Sequence, residues 1–134
     1  MSRHLMFNPE GMAPAVGFSH GAIAAVGRTV YIAGQTGHQA DLTIDDGMIE
    51  QFGAACRSVA RVIEEAGGTP TDLVSMTIYT PVIADYRENL RELGAEYQKV
   101  FGKHYPPMAL LGVTELVDPE ALVELVCIAV VPSD

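Results

Sequence analysis

Residues 104–112 read His104-Tyr105-Pro106-Pro107-Met108-Ala109-Leu110-Leu111-Gly112. Two adjacent prolines offer no backbone N–H and end any helix that precedes them. An uncharged apolar run starts at once, so Met108 to Val113 predicts a strand. Just upstream, Tyr86, Leu90, Leu93, Tyr97 and Val100 recur at intervals of three and four. That spacing gathers side chains on one side of a helix. Asp85 with Glu88 three residues later forms a capping-box pattern at its start, and Gly102 closes it. The order helix, proline stop, strand sets the fold class, and the rest of the chain repeats it.

Outward from this stretch, Ile49, Phe52, Cys56, Val59, Ile63 and Ala66 mark a first helix. Asp45 or Asp46 can cap it, and Gly67-Gly68 with Pro70 stop it. Leu73 to Thr80 and Leu122 to Val131 read as strands rich in β-branched residues. Toward the N-terminus, Ala22–Val26 and Thr29–Ala33 flank Gly27-Arg28 and predict a hairpin, with a short strand at Leu5 to Phe7. The order β-β-α-β-α-β-β predicts an α+β sandwich, a mixed sheet with two helices on one face, in a single domain over residues 1–134. Two helices cover one sheet face only. The hydrophobic fraction of 49% and mean hydropathy of +0.20 suggest that further copies of the chain cover the other.

The formal net charge is -9 and the pI near 4.7, with eight scattered basic residues, which disfavours nucleic acid and anionic lipid as partners. Two cysteines, Cys56 and Cys127, are too few for a secreted disulfide framework. The opening residues are too polar for a signal peptide, and no apolar run is long enough to span a membrane, so a cytoplasmic setting is expected. His4, His20, His38 and His104 are too dispersed for a metal site, and Gly34-Gln35-Thr36-Gly37 lacks the lysine of a phosphate loop. Neither metal nor cofactor is expected.

A series of short blocks resembles the RidA/YjgF proteins, formerly called L-PSP endoribonucleases. They are Gly17-Phe18-Ser19-His20-Gly21, Tyr31-Ile32-Ala33-Gly34-Gln35, Gln51, Glu65-Ala66-Gly67-Gly68 with Asp72-Leu73-Val74, Tyr105-Pro106, and Val123-Glu124-Leu125 leading to Ile128-Ala129. The likeness runs in order over almost the whole chain. It implies the RidA-like (chorismate-mutase-like) fold, a homotrimer, and small-molecule clefts between subunits. Active members hydrolyse reactive enamines and imines such as 2-aminoacrylate. In them an Arg binds the substrate carboxylate, a Glu in the last strand handles water, and a Tyr and the backbone near Ser-Gly frame the ligand.

Carried onto this sequence, the Arg position falls on Met108, the Glu position on Val126, the Tyr position on Phe18 and the Ser position on Ala33. A thioether cannot form the bidentate, charge-assisted pair that a guanidinium makes with a carboxylate. A carboxylate entering such a cleft alone loses several kcal/mol in desolvation, whereas a neutral ligand gains roughly 25 cal/mol per Å² of apolar contact. The expected cleft residues are Phe18, Ala33, Gly34, Gln35, Met108 and Val126. Met108 fits core packing as well as a pocket wall. No catalytic residue is assigned, and His20, His104 and Glu124 are the candidates for a substitute base. Cys127 should point away from Val126 and be inert, and Cys56 should lie in the core. Two functions fit: hydrolysis of a reactive enamine or imine without a dominant carboxylate, or non-catalytic binding of a small ligand or a client protein.

Overall fold

A computed structural model describes residues 2–133. Strand β1 (Leu5–Phe7) pairs antiparallel with β2 (Gly21–Ile23) in a small sheet of its own. Strands β3 (Arg28–Gln35), β4 (Leu73–Thr80), β5 (Met108–Gly112) and β6 (Glu124–Val131) form a four-stranded sheet in the order β3-β6-β4-β5. The β4–β5 pair is parallel and the other two are antiparallel, so the sheet is mixed as expected. Helix α1 (Met48–Glu65) joins β3 to β4, and α2 (Ile83–Glu88) and α3 (Leu90–Phe101) form the crossover to β5. A parallel pair requires such a crossover because its strands run the same way.

The sheet alternates across its faces over most of β6, with Val130 at its end buried on the side of Val126. On β6, Leu125, Cys127, Ala129 and Val131 are buried, and they pack with Met76 and Ile78 of β4 against Phe52, Val59 and Ile63 of α1 and Leu93 and Phe101 of α3. The period of two sends Val126 to the opposite face. There Tyr31 is 79% exposed, Leu111 46% and Val126 38%, an apolar surface left open by the described residues.

Three local expectations are corrected. The hairpin does not form: β2 pairs with β1, and β3 pairs with β6 over most of its length. His4 Nδ1 accepts the Ala25 N–H at 2.9 Å and draws the end of the Ala22–Val26 run toward the N-terminal strand. Gly21 lies under the Phe7 ring, where a Cβ would fall 2.4 Å from Cζ, so a larger residue there would have to displace that ring.

Neither Asp45 nor Asp46 caps α1. Gly47 takes that position without a side-chain bond, while Glu50 supplies negative charge in the first turn. The second helix starts earlier than Asp85 and is broken. Asn89 Nδ2 takes the Asp85 carbonyl at 2.7 Å, and the Asn89 backbone N–H goes to Tyr86 O instead. A side chain that claims the i−4 carbonyl ends the helix there, and α3 restarts at Leu90.

His104 fastens the end of this crossover to the sheet. Its Nε2 donates to Leu73 O at 2.7 Å, and Tyr97 donates its hydroxyl proton to His104 O at 2.5 Å. Burial holds the imidazole's proton affinity below its ordinary value of 6.5. The unfolded chain therefore binds a proton that the folded chain resists, and stability falls as pH drops below that value. Melting temperature should be lower at about pH 5.5 than at about pH 7.5, and His104→Gln should shrink the difference. An unchanged difference in the variant would assign the loss to other groups.

Candidate functional site

A cavity of about 490 Å³ opens between β5, α2 and α3, with residues 16–18 on its rim. Register explains its floor. Met108 lies beside Met76 and Leu110 beside Ile78, and Met76 and Ile78 face the helices, so Met108 and Leu110 do too. Phe52, Leu93 and Tyr97 form the deep wall, with Tyr86 and Leu90 from the crossover. Ser19 closes the rim. Its hydroxyl donates to Tyr105 O at 2.6 Å and its N–H to Pro106 O, which ties the Gly17-Phe18 segment to the start of β5. Gly17 turns the chain there at φ +76°, a conformation open to glycine.

No charged side chain lines this cavity. Its polar side-chain groups are tyrosine hydroxyls. That of Tyr97 is spent on His104 O, and that of Tyr105 accepts from Gln98 Nε2 at 2.6 Å. The Tyr86 hydroxyl has no hydrogen-bond partner among the described residues, and although the residue is only 7% exposed, that oxygen is not sealed from open space. Burial pushes its pKa up to about 12 and raises that of Tyr97 as well, so both phenols stay protonated.

The sequence-predicted residues divide between the two faces of the sheet. Phe18 and Met108 line the cavity. Val126 is on the other face, beside Thr77. Ala33, Gly34 and Gln35 end β3, where the register with β6 shifts. Gln35 turns its amide to Ala33 O at 3.0 Å. Within one chain, therefore, these six residues do not form one pocket.

None of the candidate bases reaches the cavity. The His20 ring binds Ala13 O at 2.7 Å in the N-terminal loop. The His104 ring is committed to Leu73 O. The Glu124 carboxylate lies against Gly34, where a Cβ would fall 2.0 Å from Oε2. Both cysteines are buried, and desolvation raises their pKa, to about 12 for Cys127, so neither is a thiolate at neutral pH. Among the described residues no three His, Cys, Asp or Glu side chains come together as a metal site.

Sequence reasoning missed two things. Tyr86, Leu90 and Leu93 carry the helix period of a core face, and nothing in that period distinguishes a filled core from a hollow one. The cluster Thr36–His38–Asp118 was also invisible. His38 Nδ1 lies 2.6 Å from Thr36 Oγ1, and Nε2 lies 2.7 Å from Asp118 Oδ2, across 80 positions of sequence. The Glu120 N–H and His38 hold the Asp118 carboxyl below its usual range. This cluster joins two loops and lies apart from the cavity lining.

An α+β chain with a mixed sheet and helices on one face defines a structural class that known proteins share. The family model described as Endoribonuclease L-PSP matches residues 9–131, and the chain belongs to that family, the Rid/YjgF proteins. A Rid-family protein of unknown function from Yersinia pestis is 29% identical, with a TM-score of 0.85, over 96% of this chain and 98% of that one. A YjgF/YER057c/UK114-family member from Mycobacterium tuberculosis is 31% identical, with a TM-score of 0.65, over 96% and 99%. RidA from an Antarctic Psychrobacter, 23% identical with a TM-score of 0.69 over 95% and 99%, shares the fold. No curated protein matches the chain. Among the described residues no helix is long and apolar enough to cross a membrane.

Proposed function

We propose that the protein is a cytoplasmic homotrimer of single-domain chains that binds a small uncharged molecule in clefts between subunits. The observation that carries this reading is the cavity wall that holds Phe18 and Met108 and no charged group. The uncovered apolar face around Tyr31, Leu111 and Val126 supports self-association. Phe18 and Met108 occupy one side of the sheet, and Val126 the other, with Gly34 under Glu124 at the end of β3. A cleft that uses all of them draws the first pair from one copy and the others, with Ala33 and Gln35, from the next.

As an enzyme, such a protein would hydrolyse an enamine or imine that lacks a carboxylate. With no cation to meet the carboxylate and no acid or histidine in the cavity, 2-aminoacrylate should be hydrolysed no faster than in buffer. Purified protein assayed for ammonia release from freshly generated 2-aminoacrylate tests this, and robust turnover would defeat it. The empty complement of bases also favours the second reading, non-catalytic binding. Thermal stabilisation by a neutral ligand that is recovered unchanged would select that reading over hydrolysis.

A further inference from the structure

We propose that Tyr86 is the orienting donor of the cavity, and that the molecule it selects is uncharged, largely apolar and carries one hydrogen-bond acceptor, such as a ketone carbonyl or imine nitrogen. The inference rests on the reading of the cavity as a small-molecule site and is independent of whether hydrolysis occurs. Tyr86 as a residue is more than nine-tenths buried and lines the hollow. Among the described residues no group takes its O–H, yet no sealed polar atom is left without a partner, so this hydroxyl meets open space and is free to donate to a ligand.

The ring is fixed in place. It meets Phe52 edge to face, with centroids 6.1 Å apart and planes at 83°. Asn89 ends its helix one turn later, so the hydroxyl is held on a short rigid segment. The phenol stays protonated, as its raised pKa requires, and it acts as a neutral donor.

Gly94 also lines the cavity but is exposed, and a Cβ built on it would meet nothing within 4 Å, so the hollow opens to solvent on that side. A ligand there contacts Phe18, Leu90, Leu93 and Met108, all apolar. An anion would lose its hydration with no cation in return, so the site discriminates against carboxylates by desolvation. A pocket of this size, with a placed phenol among apolar side chains, is what orients a small neutral ligand.

The probes are acetophenone, α-methylstyrene and benzoate, with binding followed by calorimetry or ligand-observed NMR. Acetophenone and α-methylstyrene have the same shape and differ in one acceptor oxygen. Wild-type protein should prefer acetophenone by about fivefold, the worth of one hydrogen bond, and benzoate should bind most weakly. Tyr86→Phe removes no internal bond, so it should fold as well as the wild type and should erase the preference. Gly94→Leu should obstruct the open side of the hollow and abolish binding of both neutral probes. Preference that survives Tyr86→Phe but disappears in Tyr105→Phe would move the donor to Tyr105 and overturn the assignment. Equal binding of the two neutral probes to the wild type would overturn the Tyr86 role alone. Tightest binding by benzoate, or binding by none of the probes, would overturn the neutral-ligand reading as well.

Discussion

Gln51→Glu, a change of one atom, should destabilise the protein by about 2–4 kcal/mol at neutral pH. Gln51 is 1% exposed and opens α1. Its Nε2 donates to Asp45 O at 2.7 Å and Glu120 O at 3.0 Å, and its Oε1 accepts the Leu122 N–H at 2.8 Å. One amide thus pins the loop before α1 and the loop before β6 to the helix. Glutamate keeps the acceptor but aims an anion at two carbonyl oxygens.

The folded protein resists that charge, so the introduced carboxyl would have a raised pKa. Its penalty is then present at neutral pH and shrinks as pH falls through the raised value, because the protonated acid donates one bond again. Urea unfolding of wild type and variant at several pH values checks this. A loss that grows on acidification would contradict the account. Gln51→Leu should lose a similar amount with no pH dependence, since it leaves the Leu122 N–H without its partner.

Leu125→Ala and Val126→Ala should differ sharply although the residues are adjacent. Leu125 is fully buried on the helix face of the central strand, and its truncation should cost about 2–5 kcal/mol through lost burial and the cavity left behind. Val126, 38% exposed on the opposite face, should cost under about 1 kcal/mol in the isolated chain. If copies of the chain cover that face, Val126→Asp should leave the fold intact and dissociate the assembly, because it buries an unpaired carboxylate. Chemical denaturation gives the first comparison and analytical ultracentrifugation the second. Dissociation by Leu125→Ala without unfolding, or a Val126→Asp variant that keeps the wild-type mass, would contradict this division of labour.

The fold was legible where a period repeats over many residues. The stripe from Ile49 to Ala66 and the strand Leu73 to Thr80 were found within a few residues of their observed limits, because one buried face dictates each pattern. The N-terminal pairing was not, since Ala22–Val26 carries no period and its partner was chosen by contacts such as His4 with Ala25. The break at Asn89 was hidden for a similar reason. An asparagine inside an apolar stripe reads as an exposed helix position until its amide is seen to take the Asp85 carbonyl.

The family resemblance places Phe18, Ala33, Gly34, Gln35, Met108 and Val126 in one cleft between subunits, and within a single chain only Phe18 and Met108 line the same cavity. That Val126 faces the other way follows from strand parity, but only once the register of β5 against β4 is known. The hollow itself had no sequence signal: a glycine at position 94 in a helix looks like a local weakness, not an opening.

The parallel strand Met108–Gly112 forms one rim of the sheet, paired on a single side, with four of its five residues exposed and none of them charged. Such a rim is a template for any extended chain, since its backbone is paired on one side only and the strand carries no charged side chain. If copies of the chain cover this rim, dilution or mutation that frees single chains would expose an unpaired backbone, and fibrous or amorphous aggregation would become the competing fate.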